Sequence, residues 1–409
     1  MPIDTGDTAW ILISTALVML MTPGLALFYG GMVRRKNLLS TIMMSMAILG
    51  IVSLLWILYG YSLSFGHDIK GFIGGFDFIG LNNVGQEPSA TYATTIPHLA
   101  FMIYQAMFAV ITVALWTGSV VERIKFSSLI LVSILWFTIV YCPVAHWVWG
   151  GGWLARLGAL DFAGGTVVHI TAGVSALALA MLLGQRKGYK SETMEPNNIP
   201  MIMIGAALLW FGWFGFNAGS ALAAGGLASS AFVATNTAAA AAGVTWMVLS
   251  WIYRRPTLVG TLTGAVVGLA AVTPAAGFIQ PIAGIPIGIV AAIISYYAMI
   301  FRSRGKLDES LDVWACHGMG GTWGVLATGI FASIAVNSAG ADGAIFGNGI
   351  LVLKQLAAIG VVWGWAFGAT YAIVKLVDKT IGLRVTRTEE IIGLDISQHG
   401  EKAYGGLIR

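Results

Sequence analysis

Eleven long apolar stretches follow one another along this chain, at about residues 8–30, 39–64, 96–121, 126–147, 163–185, 199–220, 228–252, 258–279, 283–301, 312–335 and 345–377. Most approach the roughly 20 residues that carry a helix across the hydrocarbon core of a bilayer. A water-soluble fold has no way to bury so many, and a chain that is 57% hydrophobic and 10% charged has little polar surface to cover them. The pattern predicts an all-α membrane protein of eleven transmembrane helices. The last run is longer than one perpendicular span, so it should be steeply tilted, with Lys354 snorkelling near its outer end. A transmembrane domain over 1–377 is then expected, with a first half at about 8–185, a second at about 199–335 and the last helix. A tail follows at 378–409.

The opening stretch MPIDTGDTAW has Asp4 and Asp7 where a secretory signal would carry Lys or Arg, so the first run is expected to remain as a span. Cys142 and Cys316 sit inside apolar runs without metal-ligand spacing, which points to buried small hydrophobes.

Basic residues set the expected orientation. After spans one, three, five, seven and nine come Arg34, Arg35 and Lys36; Arg123 and Lys125; Arg186, Lys187 and Lys190; Arg254 and Arg255; and Arg302, Arg304 and Lys306. The alternate loops hold only Lys70 and Arg156. Positive charge stays inside, so the N-terminus is expected outside and the tail in the cytoplasm. The net charge of +4 then reflects topology and needs no nucleic-acid partner.

Glycines at four-residue steps, Gly260, Gly264 and Gly268, and again Gly320 and Gly324, suit close helix packing in lipid. The fifth run, DFAGGTVVHITAG from Asp161, echoes the tenth, DVWACHGMGGTWG from Asp312: each begins with Asp, meets one His and contains Gly-Gly-Thr. Runs five apart cross a membrane in opposite senses, which is the pattern of two inverted five-helix repeats with a site between them.

His169 and His317 are therefore the residues most able to carry chemistry, since an imidazole offers both a donor and an acceptor without the full cost of a buried charge. Two core histidines, each satisfied by a backbone carbonyl, fit the spacing equally well. Asp161 and Asp312 open their runs, where capping of orphan amides is the favoured reading. Phe101, Tyr104 and Phe108 at helical spacing, Trp147 and Trp149, and LLWFGWFGFNAGS from Leu208 form aromatic clusters. Such faces hold cations, but they also form ordinary interfacial belts.

Taken together, MTPGLALFYGGMVRRKN (21–37), AHWVWGGGWLARLGALDFAGGTVVHI (145–170), WFGWFGFNAGS (210–220), DVWACHGMGGTWG (312–324) and GLDISQHGEKAYG (393–405) resemble the ammonium transporter/methylammonium permease/Rhesus family, in its bacterial and archaeal branch. The resemblance covers essentially the whole chain. It implies a homotrimer in the plasma membrane, each subunit with its own pore. It also implies an external ammonium-recruiting cage of Phe108, Trp149 and Ser220, and a gate of Phe108 stacked on Phe216. His169 and His317 become the paired pore histidines, Asp161 a largely structural acid near the cage, and Trp213 and Gln105 their neighbours. Tyr104 departs from the Phe common in relatives. The implied activity is passage of ammonium, or its analogue methylammonium, as neutral ammonia after deprotonation, with net charge expected to cross and no cofactor. The tail is implied to contact a neighbouring subunit and a PII-type (GlnK) regulator. A sensor signalling through PII and a Rhesus-type neutral NH3/CO2 channel are the alternatives. An intramembrane metal site is disfavoured because no third ligand stands at coordinating spacing.

Overall fold

A computed structural model describes residues 2–404. Among them, nine helices are long and apolar enough to cross a membrane: α1 (Thr5–Met32), α2 (Arg35–Phe65), α3 (His98–Ser119), α4 (Phe126–Leu157), α5 (Gly165–Leu183), α6 (Ile199–Gly219), α7 (Gly226–Tyr253), then α9 (Pro281–Arg304) and α11 (Ile350–Thr380). Two further helical stretches occupy the remaining apolar runs. These are α8 (Leu258–Val272), shorter than the others, and α10 (residues 314–331), which starts as a π turn at Trp314–Met319 and continues as Gly320–Phe331. The protein is not wholly helical, because two small antiparallel hairpins, Asp68–Ile69 with Ile73–Gly74 and Pro88–Ser89 with Ala93–Pro97, fold the loop between α2 and α3.

The helices pack as a bundle in which α1 runs along α6, α7 along α8 and α9, and α11 against α5. Many polar side chains inside the bundle are joined to neighbours, since leaving a buried group unpaired costs more than a made hydrogen bond returns. Trp136 donates its indole N–H towards the Ser175 and Thr370 hydroxyls at 2.8 and 3.0 Å. Gln355 of α11 accepts from the Leu160 amide and donates to the Leu160 and Val325 carbonyls, so one side chain ties three segments.

Both ends of the bundle are built differently from a row of loops. At the hairpin end, Asp68 bonds His146 of α4 at 2.9 Å and pairs with Arg156. At the basic end, the segment after α11 is not a solvated tail. It forms short helices α12 (Arg387–Ile392) and α13 (Leu394–His399) that lie on the loops following α1, α3 and α5. The Lys125 amide donates to the Leu383 carbonyl, Asp395 accepts from the Ser40 amide at 2.8 Å, and Glu390 accepts from the Lys187 amide at 2.5 Å. Gly405, the last residue of the tail stretch that carries the family resemblance, lies outside the described residues.

Several basic residues of that end are neutralised in pairs. Glu122 meets Arg34 at 2.9 Å and Arg186 at 3.2 Å, while Arg186 also meets Asp308 at 2.8 Å. Burial alone would raise the Glu122 and Asp308 carboxyls, but the guanidinium groups outweigh it and hold both below their ordinary values.

Candidate functional site

The site begins where α5 and α10 cross. Gly173 of α5 and Gly318 of α10 meet backbone to backbone, so closely that a Cβ at Gly173 would collide with the Gly318 amide. Gly321 likewise faces the His169 Cβ. Close approach of this kind is available only to glycine, and it brings the two histidine-bearing turns into register.

Both turns are π-helical: Gly165–Ile170 contains His169 and Trp314–Met319 contains His317. In the first, the His169 amide reaches back five residues to the Gly164 carbonyl at 3.0 Å. A π turn inserts one extra residue per loop, which swings a side chain off its α-helical course. Here it aims the two rings at each other: Nδ1 of His317 lies 3.2 Å from Nδ1 of His169, with centroids 5.2 Å apart and planes 26° from parallel. His169 is 1% exposed and His317 4%. Nε2 of His169 is buried and has no hydrogen-bond partner among the described residues.

The hydrogen bond fixes the chemistry the pair presents. Two neutral imidazoles joined Nδ1 to Nδ1 must be opposite tautomers, so one ring turns an Nε2 lone pair outward and the other an Nε2–H. A narrow, almost wholly apolar cavity adjoins these rings, lined also by Ile111, Leu115, Val168 and Trp213. At the basic end His317 also borders a wide vestibule with Val313, Cys316, Arg254 and Arg255.

Above the pair, Phe216 stacks over His169 at 6.0 Å and Phe108 over Phe216 at 4.3 Å, with both phenyl rings fully buried. Trp149 stands edge-on to Phe108 at 5.9 Å, and its indole donates to the Asp161 carbonyl at 3.0 Å. Trp213 flanks His169 at 5.6 Å and is held by the Thr273 hydroxyl at 2.9 Å. Tyr104 packs its edge on Phe108, while its hydroxyl donates to the Gly215 and Phe216 carbonyls at the end of α6 and lies 3.2 Å from Ser220 Oγ. That hydroxyl is thus taken up by carbonyls of α6 and adds no free polar group to the stacked phenyl rings. Gln105 Oε1 is buried without a partner among the described residues. The aromatic runs of the sequence divide here: Phe101 joins Phe65 and Tyr92, and Trp147 joins Phe72 and Trp365, both away from the column.

The two aspartates part company. Asp161 accepts from the Gly164, Gly165 and Thr166 amides at 2.7 Å each and from Val167 at 3.2 Å, organising the start of the His169 turn. Asp312 caps nothing: its carboxylate pairs with Arg302 at 2.8 Å, which competes more strongly than a backbone amide, and its own backbone is left-handed with φ 58°. The carboxylate that meets the His317 turn is Glu309, which accepts from the Trp314 amide at 3.3 Å. Sequence reasoning missed Glu309 and Thr273. The signal for the first was present, since Glu309 precedes His317 by the same eight residues that separate Asp161 from His169.

A polytopic helical bundle with a buried imidazole pair beside an apolar cavity points to a membrane transport protein. The sequence profile of the Ammonium Transporter Family matches residues 9–404. Ammonium transporter Amt1 of Archaeoglobus fulgidus is 55% identical over 98% of this chain and 99% of its own length, and the ammonium transporter of Bacillus subtilis is 49% identical over 98% of each. The crystal structure of Candida albicans Mep2 superposes with a TM-score of 0.89 at 36% identity, covering 98% of this chain and 90% of that one. The chain belongs to the ammonium transporter family.

Proposed function

We propose that this protein recruits ammonium at Phe108, Trp149 and Ser220, removes its proton at the foot of the Phe108–Phe216 stack, and passes ammonia along His169 and His317 to the basic end. The observation that carries the reading is the buried Nδ1–Nδ1 pair, with an unpartnered Nε2 on His169 beside an apolar cavity. An acceptor and a donor suit ammonia, which both gives and takes hydrogen bonds. They do nothing for potassium, which has no proton to give up and would enter the passage dehydrated and unpaired. The proton follows the nitrogen across, so transport is electrogenic, and methylammonium serves as an analogue.

In this reading the bundle has eleven spans in two inverted halves, α1–α5 and α6–α10, followed by α11. The matched π turns and their equally spaced acids, Asp161 and Glu309, support that arrangement. Asp161 and Asp312 are structural and electrostatic. The basic end faces the cytoplasm and the N-terminus lies outside the plasma membrane. Three subunits assemble, each with its own passage, and a PII-type regulator meets the basic end, where the docked tail forms part of the surface.

An ammonium jump on liposomes holding the purified protein tests the reading, with current and internal pH followed together. Ammonium-dependent current supports it. Flux without current favours a neutral-gas channel, and no flux favours a sensor.

A further inference from the structure

We propose that Glu309 is a positioning residue for His317: it fixes the π turn carrying that ring and couples transport to the pH at the basic end. The inference rests on the transport reading above.

Its side chain is fully enclosed, with one oxygen on the Trp314 amide at 3.3 Å and the other, Oε1, buried without a partner among the described residues. The nearest cation does not serve it, because Arg302 is committed to Asp312. The groups that face it are Asp312 and Arg302, the Tyr29 hydroxyl from α1, and the Cys316 thiol, one residue before His317. Asp161 is the counterpart in the first half, but it holds four amides where Glu309 holds one.

That imbalance has a chemical consequence. Burial raises both carboxyls, but at Asp161 four amides oppose it, whereas Glu309 has fewer donors and an acidic neighbour. Burial first, and then Asp312, push Glu309 up to about 7, against the pull of Arg302 and the Trp314 amide. Its charge therefore changes near neutrality. Ionised, it holds the Trp314 amide and with it the π turn that aims the His317 ring; protonated, it holds that amide more weakly.

The test uses the full chain in liposomes, with ammonium flux measured at internal pH values about a unit above and below neutrality for the parent, Glu309→Gln and Glu309→Asp. The ratio of parent to Glu309→Gln flux cancels the pH-dependent supply of ammonia. For one titrating group it should rise by about tenfold across that window. Glu309→Asp should restore a pH-dependent ratio with a displaced midpoint. A flat ratio overturns the proposal. Should Glu309→Gln fail to insert, the midpoint of Glu309→Asp decides: displaced supports, unmoved overturns. Absence of flux in the parent would defeat the transport reading instead. Infrared difference spectra over the same window then judge Glu309 alone, through a carboxyl band that changes together with the His317 ring signal. If that band is absent, or if it appears without the ring signal, the proposal fails.

Discussion

Asp161 shows how much of this site rests on single polar atoms. Four amides converge on one buried carboxylate, and charge-assisted bonds of this kind are each worth about 1.5–3 kcal/mol. Asp161→Ala should therefore lower stability by at least about 3 kcal/mol, as read from thermal unfolding in detergent, because the amides at the turn lose their acceptor. Asp161→Asn, which keeps one acceptor oxygen, should fall between. At this scale the sequence was informative wherever a polar or aromatic residue interrupted apolar surroundings. His169, His317, Phe108 and Phe216 stand out for that reason, and the structure stacks them in one column. It was uninformative about direction. Nothing in the residue type tells that the Tyr104 hydroxyl bends to α6 or that Asp312 turns to Arg302, since both outcomes depend on a partner distant in sequence or on backbone geometry.

Between elements, the decisive contact is the glycine crossing of α5 and α10. Gly173→Ala places a methyl group into the Gly318 backbone, so the helices must separate and the ring pair must open. We expect a loss of about 1–3 kcal/mol or more and a collapse of ammonium flux. Gly50→Ala on α2, where a Cβ meets open space, should be neutral or slightly stabilising, and the two variants can be compared by thermal unfolding and flux on the same preparations. Helices were legible from apolar length alone, with ends moving by a few residues, as in the run at 345–377 that became Ile350–Thr380. The π turns were not legible, because one inserted residue leaves no mark in composition. Glycine spacing was a partial guide: Gly264, Gly268 and Gly324 are pressed against neighbouring helices, while Gly320 has ordinary room.

Over the whole molecule, ion pairs of the basic end bind the loops after α1, α3, α5 and α9 to one another, and hydrogen bonds through Glu390 join those loops to the returning tail. Positive-inside counting used Arg34, Arg186 and Arg302 as orientation signals, and it could not foresee that folding pairs them with Glu122, Asp308 and Asp312. Glu122 and Asp308 are held below their ordinary values, so their contribution to stability is present above the unfolded carboxyl range and is lost as pH falls through it. Melting temperature should thus drop steeply below about pH 4, and Asp308→Asn should lower it at neutral pH while flattening the acid limb. Under the proposed function, the His169–His317 pair makes the passage selective for a species able to shed a proton. The most direct measurement is the ratio of ammonium to potassium current in liposomes for the parent, His169→Ala and His317→Ala. The parent should carry ammonium current and no potassium current, and each variant should either lose the ammonium current or newly admit potassium. Unchanged discrimination in both variants would contradict it.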